Sequence, residues 1–185
     1  MENGKFKPMS TPMNTNEIFY VEYGAKKLDS QSYKSLIGSL LYLTTTRLDI
    51  IHVVGLISRY MQSSSKIHFG ATKRILMYVC WTRNYGIWYT SSNNFGLVGY
   101  TDSDWAGSFD DRKITSSYVF SLGSGAILWC SKKQPTVSLS SIEVDYIAAT
   151  TTTCEEIWLK KVLLDLKQEP KYATTIFYDV YHCHN

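Results

Sequence analysis

The sequence predicts a mixed α+β fold, a helical module followed by a mixed sheet with a covering helix. Three observations predict it. Apolar residues recur at helical spacing from Tyr33 to Val79, and from Asn84 the period changes to alternation. A Ser140-x-x-Glu143 capping box then opens a long helix that leads into the short apolar run TTIFYD. With 185 residues, 44% of them hydrophobic, the chain can bury one sizeable core or two small ones.

Residues 1–30 are polar, with Pro8, Pro12 and few periodic apolar positions, which predicts an irregular, partly disordered lead-in. Tyr33, Leu36, Ile37 and Leu40 mark a first helix. Ile50, Val53, Val54, Ile57 and Met61 mark a second, for which Asp49 suits the N-cap. A third follows the run Ser63 to Ser65, turning Ala71, Ile75 and Val79 inward and Lys66, Lys73 and Arg74 to other faces. The helical module therefore covers 31–83. Next, Tyr85, Ile87 and Tyr89 fall on one face of a strand, and Leu97 and Gly99 oppose Val98 and Tyr100 in another, which runs into a turn within YTDSDWAG. A hairpin from Ser116 to Cys130 turns through Gly123-Ser124-Gly125. In the helix ending near Leu166, Ile147, Thr151, Cys154 and Trp158 form one stripe, and Glu156 and Lys160 pair on another. The four threonines from Thr150 predict a weak point there. The order β-β-β-α-β is complete by Asp179, leaving 180–185 as a divergent tail.

A net charge of +3 permits a polyanionic partner without identifying one. Cys80, Cys130, Cys154 and Cys183 lack CxxC spacing and read as packing residues in a reducing compartment. The N-terminus has no apolar leader, and no stretch reaches the ~18 apolar residues of a membrane span. These features predict an intracellular protein, cytoplasmic or nuclear, neither secreted nor membrane-bound. Neither a glycine-rich phosphate cradle nor a Ser, His and Asp arrangement is present. His52 and His68 read as packing or surface residues, Lys132, Lys133 and Gln134 as a solvated basic turn, and adjacent His182-Cys183-His184 as a poor frame for a closed metal site.

The acids are more informative. Asp102 and Asp104 lie two apart at a strand end, Glu143 and Asp145 lie on the long helix, and Asp179 closes the last strand. Acids at the ends of two strands and on one helix make a candidate metal-binding cluster. Within it Asp104 suits a turn and Glu143 a cap.

The segments YKSLIGSLLYLTTTRLDI, KRILMYV, GYTDSDWAGSFDDRKITSSYVF, GAILWCSKKQPTVSLSSIEVDYIAA and EEIWLKKVLLDL, in this order, resemble the ribonuclease H domain that closes the Pol polyprotein of copia-type LTR retrotransposons. The resemblance implies an RNase H-like domain over 84–179, preceded by a remnant of the reverse transcriptase thumb or connection without its palm. It implies metal-dependent hydrolysis of RNA in RNA–DNA hybrids, with Asp102, Asp145 and Asp179 as catalytic, metal-binding acids and Mg2+ as cofactor. Such chemistry needs a nucleophilic water and a stabilised leaving oxygen, which two ions about 4 Å apart supply. Asp145 stands where the family writes the second glutamate of T-E-A-E-Y, one methylene longer, and magnesium tolerates little misplacement. The family's following helix, final strand and terminal helix with a fourth acid have no counterpart in the text through Asn185, which implies a truncated domain. Leu48, Cys80-Trp81 and Ser117 also depart from the family pattern. These departures predict a chain that does not cleave. The alternatives are a relic that binds nucleic acid, or that self-associates through an exposed sheet edge. A third, from the RxLR-like word Arg74-Ile75-Leu76-Met77, is a secreted effector, against which the missing leader argues.

Overall fold

The apolar stripes of the first half converge on one core. A computed structural model of the chain describes residues 9–14, 17–21, 30–91, 96–104, 114–134, 140–168 and 172–178. It comprises two compact units, Met1–Gly86 and Ile87–Asn185. In the first, α1 (Ser30–Leu43), a 3-10 turn (Leu48–Ile50), α2 (Ile51–Ser58) and α3 (Lys66–Trp81) follow one another. Tyr33, Ile37 and Leu40 of α1, Val53, Val54 and Ile57 of α2, and Ala71 and Ile75 of α3 are all buried together, with Val79 packed partly against them. Burying Tyr33 strands no hydroxyl, because it donates to the Ile57 carbonyl at 3.0 Å and so ties α1 to α2.

Two local expectations give way here. The lead-in is irregular but not idle: Phe19 is buried in the core, Met13 packs against it, and Tyr60 donates to the Phe19 carbonyl at 2.8 Å. Arg74 also holds the carbonyl and hydroxyl of Thr11. Asp49 does not cap α2, whose N-cap is Ile50 without a side-chain bond. It lies within the 3-10 turn, where Arg47 grips both its oxygens at 2.8 and 2.7 Å and Tyr78 donates to one at 2.7 Å. A cap satisfies backbone donors, whereas this carboxylate is taken up by stronger, charge-assisted ones.

The Arg47 hydrogen bonds, with help from Tyr78, hold the Asp49 carboxyl below its usual range despite some desolvation. Because the folded value is depressed, the stabilisation is present above the unfolded value, about 3.9, and is lost as pH falls through the folded one. Asp49→Asn is therefore expected to be less stable than the parent at neutral pH, with the gap closing in acid. Urea midpoints followed by circular dichroism from pH 7 to 2 measure it, and a gap that stays constant would contradict the linkage.

The second unit forms a sheet from β1 (Leu97–Asp104), β2 (Thr115–Leu122), β3 (Gly125–Lys133) and β4 (Thr175–Tyr178), with α4 (Ser141–Asp165) before the last strand. The order is β3-β2-β1-β4, antiparallel from β3 to β1 and parallel between β1 and β4. Gly123 turns the hairpin at φ 62°, a conformation that disfavours residues with a Cβ. Leu97, Tyr118 and Phe120 pack with Leu159 and Leu163 of α4, forming the core of this unit. Gly99 lies opposite Phe120, and a Cβ there would come within 2.8 Å of its ring.

The segment at Tyr85 to Tyr89 is not a strand. It is held by isolated long-range anchors instead: the Tyr89 hydroxyl donates to the Ala126 carbonyl, and the Thr90 amide to the Ser124 hydroxyl. The buried stripe of α4 is also offset from the expected one. Val144, Ala148, Thr152, Glu156, Leu159 and Leu163 face inward, whereas Cys154 is exposed and Trp158 half-exposed. Exposure of Cys80 likewise removes it from the packing set, leaving Cys130 partly buried. Helix α4 runs unbroken through its threonines, with Thr150, Thr151 and Thr152 each donating to the carbonyl four residues earlier. Among the described residues no helix is long and apolar enough to cross a membrane.

Candidate acidic site

Alternation along β1 decides where each acid points. Leu97, Gly99, Thr101 and Ser103 share the face that α4 covers. The hydroxyls of Thr152 of α4 and Thr101 are hydrogen-bonded at 2.9 Å, and Ser103 donates to Asp145 Oδ1 at 2.8 Å. Asp102, between them, falls on the other face, where it is exposed and lines a groove with Tyr100, Ser117, Val119 and Phe177. Of the three sequence-predicted acids, Asp102 and Asp145 are thus placed on opposite faces of the sheet. Asp179 lies outside the described residues, as does His182-Cys183-His184. Asp104 ends β1. Glu143 sits in the first turn of α4, its amide donating to the Ser140 hydroxyl at 3.2 Å, which makes Ser140 the N-cap.

Magnesium requires oxygen ligands converging at ~2.1 Å in near-octahedral geometry. In this arrangement Asp145 is turned to Ser103 on the α4 side of β1 and Asp102 to the other side. Among the described residues no group of three or more His, Cys, Asp or Glu side chains is gathered closely enough to hold a metal. Asp145 is instead occupied by protein: besides Ser103, Tyr178 donates to its backbone carbonyl at 3.2 Å. Burial, and then the Asp145 charge, push the Tyr178 phenol up from its ordinary value. Sequence reasoning missed Ser103, although parity with buried Leu97 was the available signal.

On the α4 face, Tyr118, Cys130 and Glu155 interact. Burial pushes the Cys130 thiol up, against a hydrogen bond with Tyr118 and the charge of Lys132, so it is a poor nucleophile at neutral pH. Burial also raises the Tyr118 phenol, with Cys130 and Glu155 adding to it. A raised folded value means that the stabilisation is whole below the unfolded value, about 10, and is lost as pH rises through the folded one. Tyr118→Phe is expected to resist alkaline unfolding better than the parent. Urea midpoints at pH 8, 10 and 11.5 check this, and parallel losses in both proteins would contradict it.

The word Arg74-Ile75-Leu76-Met77 lies inside α3, with Ile75 fully buried and Arg74 bonded to Thr11. In the fold it is part of the helical core and not a linear peptide.

In comparison with known proteins, the chain is 36% identical over 173 residues to the retrovirus-related Pol polyprotein from transposon RE2 of Arabidopsis thaliana, matching 94% of this chain and 12% of that one. It is 45% identical over 135 residues to the corresponding polyprotein from transposon TNT 1-94 of Nicotiana tabacum, matching 72% and 10% respectively. It is also 42% identical over 128 residues to the secreted RxLR effector protein 161 of Plasmopara viticola, matching 69% of this chain and 90% of that protein. The chain therefore spans about a tenth of the length of these polyproteins. No family model and no solved structure matches it.

Proposed function

The chain belongs to the copia-type retrotransposon Pol polyproteins, and from that membership we propose that it carries their RNase H-like domain in a form that does not cleave RNA–DNA hybrids. The strand order and the parallel return of β4 beside β1 after α4 support the domain reading. The observation that carries the inactive reading is the placement of Asp102 and Asp145 on opposite faces, with Asp145 bonded to Ser103. On this reading the Mg2+ chemistry is ancestral, and the residual role is weak binding of a hybrid or other nucleic acid in an intracellular setting. The short outer strand β4 offers a second contact, a sheet edge on which copies of the chain would pair. Helical burial of Ile75 disfavours the effector reading, since a recognition word must be accessible to be read.

The deciding experiment is incubation of folded, purified protein with a labelled RNA–DNA hybrid and magnesium, with Asp102→Asn as control. No cleavage is expected. Cleavage that Asp102→Asn abolishes would overturn the inactive reading and require the acids to converge on substrate.

A further inference from the structure

We propose that the sheet face opposite α4 is a binding site for a guanine base, with Tyr100 and Phe177 as the stacking wall and Asp102 as the reader of the base edge. This needs neither a metal nor Asp145 and does not rest on the RNase H reading. The site is a groove of about 430 Å³ lined by Tyr100, Asp102, Ser117, Val119 and Phe177, among others. Register places Tyr100 between Val119 on β2 and Phe177 on β4. The Tyr100 and Phe177 rings stack at 5.3 Å and 19°, yet remain 50% and 52% exposed.

The shape of the wall selects a flat ligand. The two rings stack on one another, which leaves a ligand the exposed outer face of either ring, whereas an aromatic cage for an ammonium group needs open faces turned toward one another. Nucleobases stack on such exposed aromatic faces because every base has a π-face. Charge then selects the base. An ionised carboxylate only accepts hydrogen bonds, which excludes phosphate and carboxylate groups at that end of the groove. Guanine presents two adjacent donors, N1–H and the exocyclic amine, matched to the two oxygens of Asp102. Adenine and cytosine set one amine beside an acceptor nitrogen, and uracil sets one imino donor between carbonyls. Ser117 beside Asp102 donates to Ser131 at 3.1 Å, which leaves its own oxygen as a further acceptor.

The test is equilibrium dialysis of the full chain in EDTA against guanosine, adenosine, cytidine and uridine. Guanosine is expected to bind about tenfold or more tightly than the others, the scale of a bidentate base contact. Inosine, which lacks the amine, is expected to fall to the level of the others, a comparison that needs no variant. Asp102→Asn should remove the preference, Tyr100→Phe should keep it, and Tyr100→Ala should lose binding to every nucleoside, with circular dichroism confirming each fold. Equal binding of all four nucleosides, a preference surviving Asp102→Asn, tighter binding of tetramethylammonium, or no binding would each overturn the assignment.

Discussion

Phe120→Ala is expected to destabilise the sheet unit by about 3–5 kcal/mol, the range for removing a fully buried aromatic side chain. Its ring is 0% exposed, tilts against Tyr118 at 5.9 Å, and belongs to the cluster with Leu159 and Leu163 of α4. The neighbour across the strand pair makes the loss hard to repair. Gly99 has no side chain to move into the space, and the ring already occupies the position its Cβ would take. The vacated volume can therefore close only by backbone movement or stay open, and both are costly. Chemical denaturation measures the effect, with Phe177→Ala as comparison. Phe177 is 52% exposed, so its truncation is expected to cost about 1 kcal/mol or less. Equal losses at the two positions would mean that the cores are assigned to the wrong face.

In the helical unit the corresponding effect is at His68. Its ring is fully buried, stacks on Tyr60 at 4.2 Å, and lies 6.0 Å from Phe19. Its Nδ1 accepts the Ser65 amide at 3.1 Å, completing the capping box of α3 in place of the usual glutamate or glutamine. His68→Ala removes packing and the imidazole half of the box together, for an expected loss of about 2–4 kcal/mol. Ser65→Ala removes only the hydroxyl half of the box and is expected to cost about 1 kcal/mol. Urea midpoints of the two variants separate the contributions. If they matched, the ring would contribute only its hydrogen bond.

Period and capping chemistry made much of this fold legible. The spacings of Tyr33, Ile37 and Leu40, and of Val53, Val54 and Ile57, identified faces that are indeed buried. Ser140 was readable as a cap because short hydroxyl side chains compete for backbone donors at a helix start. Failures arose where the local signal had two outlets. Asp49 has the chemistry of an N-cap, but Arg47 and Tyr78 bind it, and Tyr78 is distant in sequence. The alternating segment at Tyr85 to Tyr89 has the pattern of a strand, but its anchors are a side-chain hydroxyl and one amide, not a ladder. On α4 the polar residues Thr152 and Glu156 belong to the inner stripe, Thr152 through Thr101 and Glu156 through Lys160, so hydrophobicity alone selects the wrong face. At the acidic site the residue types were legible, but their facing was not. That depended on β1 continuing as a strand through Asp104, which a reading of DSDWAG as a turn overlooks.

The parallel union of β1 and β4 has a consequence for how the chain reaches this state. Strands β1, β2 and β3 join neighbours in sequence, so their contacts close short loops. Strand β4 must find Val98 and Gly99 with Thr175 and Ile176 across the whole hairpin and α4. Such distant pairings form slowly, because loop-closure entropy is lost before contacts repay it. During synthesis the antiparallel meander would assemble while β4 is still within the ribosome. For that interval Tyr100 has no ring beside it, and the flank of β1 is an open template. The exposed flank of β1 is thus covered only when the four residues of β4 arrive.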